Sequence, residues 1–153
     1  MQALFDTASI DDVLRDYRTR FDDGRFSFGP RDALRDAVAQ AEVPEAHGVY
    51  LVHDAARDGS DRVQYVGRSG TMHRDGTLSR QTLRKRLTNR QRGMDRERFF
   101  RQFMDRHAIE VLEFEWFATF GGRARVLPAL AEMVLLQAHF DEQGVLPAMN
   151  RSA

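Results

Sequence analysis

The sequence GVYLVHDAARDGSDRVQYVG, residues 48–67, contains two apolar segments separated by a polar, glycine-containing one. The first segment, GVYLVH at 48–53, is an apolar run of the length typical of a buried strand. The second segment, RVQYVG at 62–67, alternates in strand fashion, with Val63 and Tyr65 on one side. Because a short polar link joins them, the two segments are predicted to form a β-hairpin.

Downstream of this hairpin the periodicity changes. Residues 68–79 have two glycines and no period, which predicts a loop. Helical patterns follow at 80–92 and 95–107, and residues 109–120 alternate well enough to predict a third strand. A last helix is predicted over 127–140.

Upstream of the hairpin the sequence predicts two helices. Apolar residues at helical spacing predict a helix over 10–21, which Asp22-Asp23-Gly24 is expected to end. A second helix is expected to begin after Pro30 and to stop at Pro44. The predicted order of elements is therefore α-α-β-β-α-α-β-α.

The composition is that of a single globular domain. The chain has 153 residues, of which 42% are hydrophobic and 30% charged, and no apolar run approaches the length of a membrane span. The N-terminal sequence MQALFDTASIDD lacks the basic start and apolar run of a signal peptide. The absence of cysteine excludes disulfides, zinc-thiolate sites and cysteine nucleophiles. We therefore expect a cytoplasmic protein without a membrane partner.

Charge is distributed unevenly, although the formal net charge is zero. Residues 68–106 hold twelve basic and four acidic residues, a local net charge of +8. Residues 1–47 contain ten acids and six arginines, and their net negative charge offsets part of the positive charge of residues 68–106. A basic segment in a neutral protein can steer a polyanion to one face, but most charge runs have no partner, so charge alone favours a solvated basic helix.

Within this basic segment the helix predicted at 80–92 carries most of the candidates for phosphate contact. Arg86 and Arg90 are four residues apart and share a face, which is mildly destabilising unless the charges are used. His73 lies in the preceding loop and is a further candidate. The spacing of the five histidines does not match a zinc site.

Three residues outside the basic segment also draw attention. Tyr50 and Tyr65 each lie two residues from a glycine, although strand tyrosines most often serve packing. Glu132 lies in ALAEMVLLQAHF, a helix that is apolar almost all round. A carboxylate there is costly unless it is paired or holds a cation, so an internal salt bridge and a cation site both remain open.

Taken together, these residues resemble the GIY-YIG nuclease superfamily. That family has Gly-Ile-Tyr and Tyr-Ile-Gly on adjacent strands, and this chain has GVY at 48–50 and YVG at 65–67. The family arginine on the next helix corresponds to Arg86 in LRKRL, and its later glutamate corresponds to Glu132. Its closing asparagine corresponds to Asn150 in LPAMN. All five marks occur in the family order.

The resemblance implies an α+β fold with a small three-stranded antiparallel sheet flanked by helices. Residues 46–153 would form the nuclease domain, and residues 1–45 would add an N-terminal two-helix extension. Arg90 stands where many relatives have histidine or tyrosine, and Arg68 stands where lysine is frequent. These departures resemble the small stand-alone and restriction-type bacterial members.

The resemblance also implies a metal-dependent DNA endonuclease that hydrolyses phosphodiester bonds. Glu132 would ligate Mg²⁺ or Mn²⁺, and Arg86 would contact the phosphate oxygens. Tyr50 would be the general base, if nearby positive charge lowers a pKa that is ordinarily about 10. Tyr65 would orient water or phosphate, and Asn150 would hold the shape of the site.

Further basic residues would hold the DNA backbone, and RNA remains an alternative ligand. These residues are Arg68, His73, Arg84, Lys85, Arg90 and Arg92. A single site cuts one strand at a time, so cleavage of a duplex implies a homodimer or sequential nicking. Two alternative functions remain, a non-cleaving nucleic-acid-binding domain of the same fold and a protein-interaction domain with solvated arginines.

Overall fold

The computed structural model describes residues 8–88, 90–91, 94–121 and 123–153. Within these ranges there are five α-helices and seven strands. The helices are α1 (Ile10–Arg20), α2 (Leu34–Gln40), α3 (Leu83–Thr88), α4 (Arg96–His107) and α5 (Pro128–Gln143). The strands are β1 (Asp22–Phe28), β2 (His47–Asp54), β3 (Val63–Ser69), β4 (Arg90–Gln91), β5 (Met94–Asp95), β6 (Leu112–Gly121) and β7 (Ala124–Arg125).

The main sheet is antiparallel and has five strands. Its hydrogen-bonded order is β1-β6-β2-β3, and the short β7 pairs with β6 as the fifth strand. Strands β2 and β3 form the predicted hairpin, which is therefore confirmed. The remaining two strands, β4 and β5, pair only with each other.

The predicted three-stranded sheet is wrong because the chain between the first two helices forms β1. Asp22-Asp23-Gly24 was expected only to end a helix, but it opens a strand that pairs with β6 from Asp22 to Phe28. The alternation in the second half of β1 places two phenylalanines on the core side. The ring of Phe26 stacks on that of Phe114, with centroids 4.7 Å apart.

The predicted two-helix extension is corrected by the same finding. The helices α1 and α2 exist, but the strand between them belongs to the main sheet. The division of the chain at residue 45 stays a prediction. The helix predicted over 80–92 is also shorter than expected, since α3 covers only Leu83–Thr88 and β4 follows.

Two helical layers cover the sheet. One face, called here the α3–α4 face, packs against α2, α3 and α4 through a core that includes Tyr50, Phe100 and Phe114. The opposite face, called here the α1–α5 face, packs against α1 and α5 through Phe117 and Leu135. Because β2 is covered on both sides, its sequence is a continuous apolar run.

Helix α5 is apolar on its outer side as well as its inner side. Its inner side chains are buried against β2 and β3. Large apolar side chains are exposed along the outer side, namely Leu127, Leu130, Met133, Val134 and Phe140. Among the described helices, none is both long and apolar enough to cross a membrane. A cytoplasmic location stays a prediction.

Candidate active site

The two motif tyrosines lie side by side on the α3–α4 face. Tyr50 on β2 is paired in register with Gly67 on β3, and Tyr65 lies two residues before that glycine. The tyrosine rings are tilted by 49° with centroids 5.7 Å apart. Adjacent strands of one hairpin therefore bring the two phenols together, as the sequence predicts.

Both motif glycines are required by close contacts. A Cβ atom on Gly67 would lie 2.7 Å from Tyr50 Cζ and 2.7 Å from Tyr65 Cε1, so a side chain there would displace the rings. A Cβ atom on Gly48 would lie 1.9 Å from the carbonyl oxygen of Phe117. This contact occurs where the β2–β6 register is irregular, between His47 and Gly48. The glycines thus allow backbone and rings to approach closely.

Tyr50 is fully buried, and its hydroxyl makes no hydrogen bond of good geometry with any described residue. Burial raises the pKa of Tyr50 well above its ordinary value, and the neighbouring Tyr65 raises it further. The positive charges of Arg96 and Arg86 act in the opposite direction. In this state Tyr50 is neutral, so a role as general base requires additional positive charge.

Arg86 lies on α3, on the same face of the sheet as the phenols. The buried Leu83 and Leu87 anchor this short helix on the sheet, and Arg86 is half-buried beside them. Its positive charge lowers the pKa of both Tyr50 and Glu132. Its Nε atom is buried and has no hydrogen-bond partner in the part of the chain that the structure describes. Arg86 therefore keeps one unused hydrogen-bond donor among the described residues.

Glu132 on α5 is bound by an arginine of β3. The Nη1 atom of Arg68 donates a hydrogen bond to Glu132 Oε1 at 2.9 Å. The side chain of Glu132 is 13% exposed and that of Arg68 is 40% exposed, so the pair is reachable from solvent. Burial raises the pKa of Glu132, whereas Arg68 and Arg86 oppose the rise. The salt bridge that the sequence left open as an alternative is present.

The tyrosines and Glu132 lie on opposite faces of the sheet. Tyr50 and Tyr65 belong to the core of the α3–α4 face, whereas Glu132 comes from α5 on the other side. The element between them is β3, which both α3 and α5 contact. A cavity of about 170 Å³ adjoins Arg68 there, between the loop after β3 and the start of α5. The candidate site is therefore an edge of the sheet, not a deep pocket.

Asn150 covers the outer edge of β3. Its side-chain Nδ2 donates to the carbonyl oxygen of Val66, and its Oδ1 accepts from the Val66 amide, both at 2.9 Å. The Met149 amide donates to the carbonyl oxygen of Gln64 at 2.8 Å. Asn150 thus stabilises the strand that carries Tyr65, which agrees with a role in shaping the site.

The other residues predicted to contact nucleic acid are spread around this edge. Arg84 and Lys85 are exposed on α3, next to Arg86. His73 is exposed in a loop closed by hydrogen bonds between His73 and Thr77. Arg92 and the side chain of Arg90 lie outside the described residues.

One buried charge was missed by the sequence analysis. Arg96 in the first turn of α4 is only 1% exposed, and its charge lowers the pKa of Tyr50. The missed signal is its spacing, since Arg96 shares a helix face with Phe99, Phe100 and Phe103. This is the same kind of anomaly that singled out Glu132.

A second charged cluster lies beneath the α1–α5 face, away from these residues. Glu115 on β6 is 1% exposed, and Arg18 donates to both of its carboxylate oxygens, at 2.8 and 3.0 Å. Arg25 and His53 also contact it. The cluster joins α1, β1, β2 and β6, so we interpret it as structural.

The donor set at Glu132 fits only an open metal site. Within the described ranges, no three histidine, cysteine or acidic side chains cluster as metal ligands. Mg²⁺ is often bound through one carboxylate, retained waters and substrate phosphate, which a single glutamate can serve. Because Arg68 binds Glu132 Oε1, a metal ion would have to compete with that guanidinium.

Comparison of the chain with family models, curated proteins and solved structures gave no match. The five motif residues and their geometry therefore carry the functional argument.

Proposed function

We propose that the protein is a metal-dependent DNA endonuclease of GIY-YIG type that hydrolyses phosphodiester bonds. The main support is the packing of Tyr50 against Tyr65, with ring centroids 5.7 Å apart, on two strands that α3, the helix of Arg86, contacts. Phenols and a guanidinium on neighbouring elements are groups that phosphodiester hydrolysis can use, since the phosphate must be bound where water is activated.

In this mechanism Arg86 binds the scissile phosphate. Its unpartnered Nε and planar fork suit phosphate oxygens and stabilise the negative charge that develops on them. Glu132 would hold Mg²⁺ or Mn²⁺, which supplies charge stabilisation for the leaving oxygen when bound. Arg68 would then leave Glu132 and add a second guanidinium to the phosphate.

Tyr50 would first lose its hydroxyl proton to solvent and would then, as the phenolate, accept the proton of the attacking water. Its pKa is raised by burial, so it can do so only when positive charge accumulates beside it on substrate binding. Tyr65, whose ring lies beside Tyr50, would orient the water or the phosphate. Asn150 does not react in this scheme and holds β3 in place.

The exposed cations near the site would hold the DNA backbone. Arg84 and Lys85 face solvent on α3, and they would give a largely sequence-independent affinity that falls with salt. RNA is an alternative ligand, because its backbone carries the same negatively charged phosphates.

A plasmid nicking assay tests the proposed function. With Mg²⁺ or Mn²⁺ the wild type should convert supercoiled plasmid to the nicked form, and Glu132→Ala should lower this rate by at least about a hundredfold. Glu110→Ala is the matched control, because Glu110 is an exposed carboxylate distant in sequence from the site. If the wild type and Glu132→Ala nick equally well, the nuclease proposal fails.

The second candidate function is a nucleic-acid-binding domain that does not cleave. Two observations favour it, namely the Arg68–Glu132 salt bridge and the raised pKa of the buried Tyr50. Binding of duplex DNA at low salt, without nicking in Mg²⁺ or Mn²⁺, would select this function over the endonuclease.

A second copy of the chain is the protein partner that we propose. The outer side of α5 exposes large apolar side chains, and α5 contains no lysine or arginine, so this surface is unsuited to a polyanion. An isologous contact through α5 would bring two sites together for the two strands of a duplex.

A further inference from the structure

Arg96 is a buried cation for which the described residues supply no partner. It is 1% exposed, and its Nε, Nη1 and Nη2 atoms make no hydrogen bond to any residue that the structure describes. None of the described carboxylates forms an ion pair with it, and a guanidinium stays protonated in proteins. Since burying an unpaired charge is strongly unfavourable, Arg96 calls for an anionic partner that the described residues do not provide.

The atoms near Arg96 that also lack partners are mostly hydrogen-bond donors. The buried Tyr50 hydroxyl and Arg86 Nε make no hydrogen bond of good geometry with the described residues. A guanidinium has only donors, and a neutral phenol can donate one hydrogen bond. Because Arg96 offers only donors and carries a positive charge, a ligand that pairs with it must offer acceptor oxygens and a negative charge.

A cavity adjoins Arg96 and offers such a ligand a route towards it. Its volume is about 290 Å³, several times the roughly 30 Å³ occupied by one water in the liquid. It lies where α2, α3 and α4 meet, and its other lining residues are Leu34, Arg35, Thr88, Asp95 and Glu97.

The two acids in that lining are engaged elsewhere. Asp95 accepts a hydrogen bond from the Arg98 amide at 2.8 Å, and Glu97 accepts one from the Leu34 amide at 2.7 Å. Arg35 contributes a second cation to the cavity. Arg96 and Arg35 are the groups in this lining that can bind an anion, and their attraction must outweigh the negative charges of Asp95 and Glu97.

We propose that Arg96 anchors a phosphate-binding site, separate from Glu132, at the junction of α2, α3 and α4. Its guanidinium binds two oxygens of a phosphate group that enters through this cavity. A backbone phosphate of a nucleic acid and free inorganic phosphate share this chemistry. The site does not depend on cleavage, so it stands or falls separately from the proposed function.

The test is thermal unfolding of the full chain in EDTA, with phosphate or with chloride at matched ionic strength. Phosphate at about 100 times its Kd should raise the Tm of the wild type by on the order of 5 °C. Arg96→Met should abolish this response and should also raise the Tm without phosphate, because it removes an unpaired buried charge. Arg106→Met, the same change at an exposed arginine near the other end of α4, should respond like the wild type.

An equal phosphate response in the wild type and in Arg96→Met overturns the proposal, and so does a wild type without a response. If Arg96→Met does not fold, calorimetric titration of phosphate into Arg96→Lys replaces it. Binding at least about tenfold weaker than in the wild type is expected, since lysine lacks the bidentate fork. Unchanged affinity overturns the site.

Competition with a short single-stranded oligodeoxynucleotide, in EDTA, identifies the source of the phosphate. If the oligodeoxynucleotide displaces inorganic phosphate, the site is assigned to the nucleic-acid backbone. If phosphate binds equally well in its presence, the site is assigned to free phosphate. Either outcome supports a phosphate site at Arg96. If the protein never nicks plasmid but its Tm still rises with phosphate in an Arg96-dependent way, the nuclease proposal is refuted and the phosphate site is not.

Discussion

At the scale of single residues, Gly67 shows most directly why the motif is built as it is. The two tyrosine rings lie over its Cα, where a Cβ atom would be 2.7 Å from each ring. The glycine therefore permits the phenols to lie together, and its role is steric, not chemical.

Gly67→Ala should destabilise the protein by about 1–3 kcal/mol, the usual cost of overpacking a filled core. Urea unfolding measures this loss of free energy. Gly29→Ala is the matched control, because a Cβ there would meet only ordinary contacts, the nearest at 3.4 Å. Equal stability of Gly67→Ala and the wild type would mean that the rings do not pack as described.

Single residues also mark the limit of what the sequence can predict about the site. Tyr50, Tyr65, Arg86, Glu132 and Asn150 were selected by motif, and the charge on an apolar helix face made Glu132 conspicuous on physical grounds. The sequence does not reveal that Arg68 binds Glu132, because that choice depends on the three-dimensional neighbourhood. Arg96 could be predicted by the same periodicity that singles out Glu132, because it too is a charge on an apolar helix face.

At the scale of elements, β1 explains why the sheet was underpredicted. Its first three residues, Asp22-Asp23-Gly24, are poor strand formers, and only the last four alternate. Pairing with β6 along seven residues and stacking of Phe26 on Phe114 compensate for this weak propensity. Tertiary pairing of this kind cannot be read from a local pattern. The hairpin, the long strand and the helices had strong patterns and were predicted within a few residues, except α3.

The cluster around Glu115 ties four elements together and predicts a pH dependence. Burial opposes its ionisation, but hydrogen bonds from His53 and Arg18 and the charges of Arg18 and Arg25 outweigh burial and lower the pKa to about 2. The pKa in the folded state is thus below that in the unfolded chain. The stabilisation is present above about pH 4.5 and is lost as the pH falls towards 2.

The free energy of unfolding should therefore fall by about 3 kcal/mol on this account between pH 4.5 and 2. Glu115→Gln should be less stable than the wild type at pH 7, and its stability should change less over this range. Chemical denaturation at a series of pH values measures both. Glu110→Gln, at an exposed position, should follow the wild-type curve. If the free energy of unfolding of Glu115→Gln depends on pH as steeply as that of the wild type, the ionised Glu115 does not provide this stabilisation.

At the scale of the whole molecule, the outer side of α5 predicts the oligomeric state. Leu130 is 59% exposed and Phe140 is 49% exposed along one helix that carries Glu132. If two copies pair through this surface, light scattering coupled to size exclusion should give twice the chain mass of 17.6 kDa. Leu130→Glu should shift the protein to the monomer, because it buries an unpaired charge in the contact.

Ala56→Glu adds the same charge at an exposed position outside α5 and should remain dimeric. A wild type that elutes as a monomer at all micromolar concentrations would refute pairing through α5. In that case, cleavage of both strands would have to proceed by successive single-strand cuts.

The amide of Asn150 has a consequence for anyone who alters this protein. It forms hydrogen bonds with the backbone amide and carbonyl of Val66, on the side of β3 that faces away from the sheet. A truncation that removes residues 149 and 150 would leave the backbone groups of β3 unpaired on that side, and such an exposed strand can pair with β-strands of neighbouring molecules. Such a shortened protein is expected to precipitate before its chemistry can be assayed, so the terminal residues protect solubility as well as the architecture.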